Sequence, residues 1–186
     1  MKISVKETVR EAAQVLGISE CVESYLSGED SEIGQKDTEL LVDCFNRVQN
    51  ELALDYLPLT AEDEFVTATG IISYAHLTNA VTRILCVENG SGESIAFKLF
   101  ADRLEAQPGK VKVYYAYAPA DRDINGFCEY ETDVSKRLFV YGMAAEYALI
   151  AGENEAASVW DKKYKEVVNA AYKIRPGKKL RSRRWV

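Results

Sequence analysis

The chain has 186 residues, 47% of them hydrophobic and 28% charged, with a formal net charge of −6. That size and balance suit one globular domain, or one domain carrying an insert, with a core that needs neither disulfides nor metal. No apolar run approaches the roughly 20 residues that span a bilayer, and Met1–Glu7 lacks a signal peptide's apolar stretch, so a protein kept in a cytoplasm is expected.

Ser4-Val5-Lys6-Glu7 is a capping-box pattern, and Val5, Val9, Ala12, Ala13 and Leu16 then repeat at helical spacing up to a stop at Gly17. A short second helix is predicted over Ser19–Ser27, ended by Gly28. Polar residues 29–35 read as a loop. A longer helix, capped by Asp37 or Thr38, carries the stripe Leu41, Phe45, Val48, Leu52 and Tyr56 and stops before Pro58.

After Thr60 the pattern changes to short runs rich in Val, Ile, Thr, Phe and Tyr: Phe65–Thr69, Gly70–Tyr74, Val81–Glu88, Glu93–Phe100 and Val111–Tyr117. Asn89-Gly90 is a hairpin signal with a loop lengthened by Ser91-Gly92, and Gln107-Pro108-Gly109 marks another turn. Helical period returns from about Asp133, where Val134, Leu138, Tyr141, Ala145, Ala148 and Leu149 line one face up to Gly152. A second helix follows on Ala157, Trp160, Tyr164, Val167, Val168 and Ala171. Gly142, Ala144, Ala145, Ala148 and Ala151 would admit a closely packed neighbour.

Helices, then strands, then helices, without βαβ alternation, predict an α+β fold. N-terminal helices (1–62) and a C-terminal αα-hairpin (133–172) form a helical bundle. A small antiparallel β-module (63–132) is inserted into it, and an extended basic C-terminal tail (173–186) follows.

Catalytic motifs are lacking: there is no phosphate-binding glycine loop, nucleophile elbow, HExxH or CxxC. His76, the single histidine, reads as a structural or surface residue. Glu29-Asp30-Ser31-Glu32 and Glu62-Asp63-Glu64 read as solvated loop acids rather than metal ligands. Glu129-Tyr130-Glu131 precedes a helix, where acids suit the macrodipole, and Asp43, Glu146 and Asp161 are ordinary helix charges. Cys21, Cys44, Cys86 and Cys128 are widely spaced and read as reduced, mostly buried thiols. No enzyme, cofactor or metal is expected.

Two stretches stand out as interaction surfaces. In Tyr114-Tyr115-Ala116-Tyr117, Tyr115 and Tyr117 share a strand face with Val111 and Val113 while Tyr114 points the other way. These tyrosines either cover the module's core or form a protein-contact surface, in which tyrosine is enriched. The second stretch is the tail. Residues 173–186 hold Lys173, Arg175, Lys178, Lys179, Arg181, Arg183 and Arg184 and no acid. Removing those seven cations from 23 leaves 16 against 29 acids, so residues 1–172 carry −13. Pro176 and Gly177 end the last helix, nothing beyond them can build a core, and Leu180 and Trp185 are apolar anchors of the kind that dominate interfaces.

The helices–β-module–helices order, the hairpin from Tyr141-Gly142-Met143-Ala144-Ala145-Glu146-Tyr147 to Trp160-Asp161-Lys162-Lys163-Tyr164, and Arg183-Arg184-Trp185-Val186 together resemble the head-to-tail adaptor (connector) proteins of tailed bacteriophages. The β-module, with Arg83–Val87 and Val111–Tyr115, looks like the insert of podophage-type adaptors and tail tubular proteins. The resemblance implies a structural virion protein at the head-tail junction, made in the host bacterial cytoplasm. It implies a homo-oligomeric ring, commonly a dodecamer, that docks on the portal protein and receives the next tail component (a stopper, nozzle or tail tube protein). Genomic DNA would pass through its lumen without specific binding, and no membrane is involved. Portal contacts would fall on Arg175, Lys178, Lys179, Leu180, Arg181, Arg183, Arg184 and Trp185. The alternative is a nucleic-acid-binding protein whose basic tail meets phosphates directly; against it, the −13 body would repel a duplex.

Overall fold

A computed structural model describes residues 2–29, 31–130 and 134–173, with side chains described through Ala171. The chain forms two compact units, and it leaves the first after Tyr56 and rejoins it at Ala120. The α+β architecture with an inserted antiparallel module is therefore present. The basic tail from residue 174 onward lies outside the described residues.

Among the described residues the first unit holds five α-helices: α1 (Val5–Leu16), α2 (Ser19–Leu26), α3 (Glu32–Glu51), α4 (Lys136–Ile150) and α5 (Asn154–Lys173). α1 starts where the capping box places it. The Ser4 side chain accepts from the Glu7 backbone N–H at 3.5 Å, and Val5, Val9, Ala12 and Ala13 are buried. α3 starts earlier than predicted. Ser31, not Asp37 or Thr38, is the cap, accepting from Gly34 N–H at 3.1 Å. The polar stretch 32–35 is thus the first turn of the helix, hidden from periodicity because it has almost no apolar residue to repeat. Gly34 is needed there: a Cβ would sit 2.1 Å from the Cys21 carbonyl oxygen of α2. Thr38 is buried mid-helix and donates its hydroxyl to Gly34 O at 2.7 Å. The last turn of α3 widens into a π-helical turn, Leu52–Tyr56, before Pro58.

α4 is the central helix, touching α1, α3 and α5. One apolar stripe was predicted for it, yet Leu138, Phe139, Val140, Met143, Ala144, Ala145 and Ala148 are all buried, while Leu149 is 38% exposed. A helix with neighbours on three sides buries more than one face, which a single-stripe reading cannot express. Phe45 of α3 stacks on Phe139 at 5.0 Å, and Tyr147 donates to Asp37 Oδ1 at 2.9 Å. α5 buries Ala157, Tyr164 and Val168.

Residues 120–130 belong to this unit rather than to the β-module, so the module is shorter at its C-terminal side than the predicted 63–132. Asn46 of α3 grips the Arg122 backbone with both ends of its amide: Nδ2 donates to the carbonyl at 3.0 Å and Oδ1 accepts from the N–H at 2.8 Å. Buried Gln49 accepts from Glu129 N–H at 3.1 Å, and Cys128 N–H donates to Ile3 O at 2.9 Å. The sequence carries no hint of these bonds, because pairs 76 to 125 residues apart leave no periodic trace.

The second unit, Leu57–Pro119, has two three-stranded antiparallel sheets, ordered β1-β6-β3 and β2-β5-β4. Their strands are β1 (Leu59–Thr67), β2 (Ile71–Ser73), β3 (Val81–Asn89), β4 (Lys98–Leu99), β5 (Arg103–Glu105) and β6 (Gly109–Tyr117). Ile72, Leu77, Ile84, Val87, Leu104, Val111, Val113 and Tyr115 make its core. β1 begins six residues before the predicted Phe65 and contains Glu62, Asp63 and Glu64, which are strand residues rather than loop acids. Its register with β6 runs unbroken from Leu59↔Tyr117 to Thr67↔Gly109. Glu62 and Glu64 fall on the exposed side, where Glu62 pairs with Lys112 and Glu64 with Lys110, each at 2.9 Å. Of the predicted strand Glu93–Phe100 only Lys98–Leu99 is a strand; the first half is tied to β3 by an isolated bridge, Ser94 to Glu88, and by Ile95 N–H to Val87 O at 2.8 Å.

Candidate interaction surfaces

The predicted docking residues Arg175, Lys178, Lys179, Leu180, Arg181, Arg183, Arg184 and Trp185 lie outside the described residues. α5 runs to Lys173, the last described residue.

Strand β6 separates the three tyrosines proposed as a contact surface. Tyr115 is fully buried and offers no surface: alternation along the strand turns it into the module's core with Val111 and Val113. Its hydroxyl donates to Asp63 Oδ2 at 2.7 Å and accepts from Asn79 N–H at 3.3 Å. Burial and the bond to Asp63 push the Tyr115 phenol above its ordinary pKa. Burial also tends to raise the Asp63 carboxyl. Hydrogen bonds from Thr78 N–H and hydroxyl, each 2.8 Å, and from Tyr115 outweigh that and hold it below its ordinary value. Tyr117 is half-buried against the same core. Only Tyr114 takes the opposite face, donating to Glu88 at 3.1 Å with Lys112 Nζ 5.6 Å from its ring centroid. The tyrosine run is therefore split: Tyr115 is core, and Tyr114 and Tyr117 are half-buried on opposite faces of the strand.

A surface not singled out from the sequence lies on the α4–α5 hairpin. The two helices leave a half-open groove of about 260 Å³ lined by Ala145, Glu146, Leu149, Asn154, Ala157, Ser158 and Asp161. The small alanines that let α4 and α5 approach also leave the groove's floor without bulk. Beside it, Tyr141 stacks on Trp160 at 5.7 Å, and Lys163 Nζ lies 4.0 Å from the Trp160 ring centroid. Asp161 forms an ion pair with Lys165. From Ala145 to Asp161 the chain has four acids, Glu146, Glu153, Glu155 and Asp161, and no base. The groove is smaller than the roughly 300–1,000 Å³ of typical small-molecule sites and suits one or two protein side chains better. Spacing could have flagged it, since Ala145, Leu149, Ala157 and Asp161 recur at helical intervals on facing helices.

His76 is exposed in a 3₁₀ turn, Tyr74–His76. Cys44 and Cys128 are buried and Cys21 and Cys86 half-buried, all four as free thiols. Burial pushes the Cys44 and Cys128 thiols up to about 12. Among the described residues, no group of three or more His, Cys, Asp and Glu side chains is arranged to hold a metal ion, and no helix is long and apolar enough to cross a membrane. Compared with protein-family models and with curated proteins, the chain matches none.

Proposed function

We propose that this chain is a structural head-to-tail adaptor of a tailed bacteriophage, a virion protein that forms a ring under the portal, joins capsid to tail and lines the DNA channel. The observation that carries the reading is the charge split on this architecture. Residues 1–172 carry −13, while seven cations and no acid lie within 173–186, from the last residue of the long helix α5 onward. An acidic lumen repels DNA phosphates and lets a genome slide without sticking. A ring of identical arms gains by effective concentration, so contacts worth only about 0–1 kcal/mol per exposed ion pair still hold it on its partner. The portal, the next tail component and further copies of this chain are the partners, and chemistry on a substrate has no part in the role.

The test is mass measurement and electron microscopy of the chain mixed with the purified portal. A stoichiometric ring complex is expected, lost on deleting residues 175–186 and weakened by salt. Absence of portal binding, or binding indifferent to the deletion, overturns the reading. Tight, salt-sensitive binding of duplex DNA by the isolated protein would instead favour nucleic-acid binding through the same cations.

A further inference from the structure

An asparagine followed by glycine is chemically labile, because a residue without a Cβ leaves its backbone nitrogen unhindered for attack on the asparagine side chain. The chain has two such pairs, Asn89-Gly90 and Asn125-Gly126, and the fold holds them differently. In the loop after β3, Asn89 is half-buried and three hydrogen bonds hold its side chain. Oδ1 accepts from the Ser91 and Glu93 N–H groups at 2.9 and 3.0 Å, and Nδ2 donates to Glu93 Oε2 at 3.0 Å. Its backbone is fixed as well, with Asn89 N–H donating to Glu93 O at 2.9 Å and Gly92 N–H donating to Asn89 O at 3.0 Å. Swinging Cγ onto the Gly90 nitrogen would break the side-chain bonds together.

Asn125 is exposed. Its backbone N–H donates to Asp123 Oδ1 at 2.9 Å, but among the described residues its side-chain amide has no hydrogen-bond partner. The attacking nitrogen belongs to a turn closed by one bond, Gly126 N–H to Asp123 O at 3.0 Å. Opening an exposed turn is among the least costly local motions of a folded chain, so little stands between this side chain and ring closure.

We propose that Asn125 is a deamidation site of the native protein and that Asn89 is its protected counterpart. The Gly126 nitrogen gives its proton to water or hydroxide, and its lone pair forms a bond to Cγ of Asn125. The Cγ–Nδ2 bond then breaks, the nitrogen leaves as ammonia, and a succinimide ring remains. Water adds to either ring carbonyl. Breaking the new Cγ–N bond gives aspartate, and breaking the original peptide bond gives isoaspartate, which routes the main chain through the side-chain carbon. In sum, one water is consumed and one ammonia released.

The place of this turn makes the two products unequal. Asn46 grips the Arg122 backbone before it, and after it Val5 N–H donates to Gly126 O at 3.1 Å and Cys128 N–H to Ile3 O at 2.9 Å. Isoaspartate lengthens the backbone by one carbon between these anchors, so the clasp of residues 126–128 on residues 3–5, where α1 begins, loosens. Aspartate keeps the native length and leaves the clasp closed. The inference stands apart from the adaptor reading, because it rests on the helical unit's own bonds.

The experiment ages the native full chain in heavy-oxygen water under warm, mildly alkaline conditions, then maps the label by digestion and mass spectrometry. Label is expected at position 125 at least about tenfold faster than at position 89, the effect of the bonds that only Asn89 must break. The two rates should converge when the same chain is aged unfolded in urea. Equal native rates, faster labelling at Asn89, or no labelling at Asn125 overturns the proposal. Hydrogen exchange supplies a second measurement on the isoaspartate fraction and on the Asn125→Asp variant. Amides of residues 3–5 and 126–128 should exchange about fivefold faster in the isoaspartate fraction, while the variant matches its parent. Unchanged exchange in the isoaspartate fraction overturns the claim that the turn lies between fixed anchors.

Discussion

Gly142 is the position where one added carbon should matter most. It lies in the middle of α4, and an alanine Cβ built there would sit 2.8 and 2.9 Å from the two Val48 methyls of α3 and 3.1 Å from Tyr164 Cε2 of α5. Carbon atoms prefer about 3.5–4.0 Å, so the overlap with Val48 exceeds half an ångström. Val48 has little room to yield: it is 1% exposed, and a β-branched side chain in a helix is held to one rotamer. Overpacking of this kind costs about 1–3 kcal/mol, and the helix-propensity gain of alanine over glycine returns only about 1. Gly142→Ala should therefore destabilise the protein by roughly 1 kcal/mol, and Gly142→Val by more, since a β-branched residue gains less in propensity and brings two further methyls. Urea unfolding followed by far-UV circular dichroism reads this as a lowered midpoint at unchanged slope. The sharper test adds Val48→Ala, which alone should cost about 1–3 kcal/mol through lost burial and a cavity. In that background Gly142→Ala fills the space and should become stabilising, so the two changes couple with opposite sign to their separate costs. A Gly142→Ala protein as stable as its parent, or a double mutant showing no coupling, would refute the claim that α3, α4 and α5 meet at this glycine.

Two further outcomes follow from the titratable groups. The Asp63 carboxylate, held below its ordinary 3.8 by the Thr78 and Tyr115 bonds that outweigh its burial, contributes stability above that pH and loses it as pH falls towards the lower folded value. Asp63→Asn should cost about 1–3 kcal/mol near neutrality and flatten the dependence of the urea midpoint between pH 5 and about 2, and a parallel pH profile would contradict the latch. Cys44 and Cys128, buried with thiols raised to about 12, should resist a disulfide-exchange reagent at pH 8 in the native state, while half-buried Cys21 and Cys86 react first. Four equally fast thiols would disprove that partition.

Local chemistry was enough to place what depends on neighbouring residues. Ser4 and Gly17 mark the ends of α1, Pro58 the stop after α3, and Gly152 the turn between α4 and α5. The alternation of Val111, Val113 and Tyr115 marks the inner face of β6, and the acid–base division between residues 1–172 and 173–186 is a property of composition alone. Other features depended on which distant groups came together. Glu62-Asp63-Glu64 lies in a strand because Lys110 and Lys112 on β6 offset its charge and Thr78 and Tyr115 bond Asp63, none of which is visible in three consecutive acids. Ser31 rather than Asp37 caps α3 because Gly34 can lie against the Cys21 carbonyl, a contact between two helices. Residues 120–130 join the helical unit through Asn46 and Gln49, whose amides could have bonded water instead. The sequence by itself thus determined the helix–strand–helix order and the charge division, because periodicity, capping and composition act within a few residues. Tertiary structure alone decided the hold of Asn46 and Gln49 on residues 120–130 and the bonding of Asp63 by Thr78 and Tyr115, because both arise where groups far apart in the chain come to the same place.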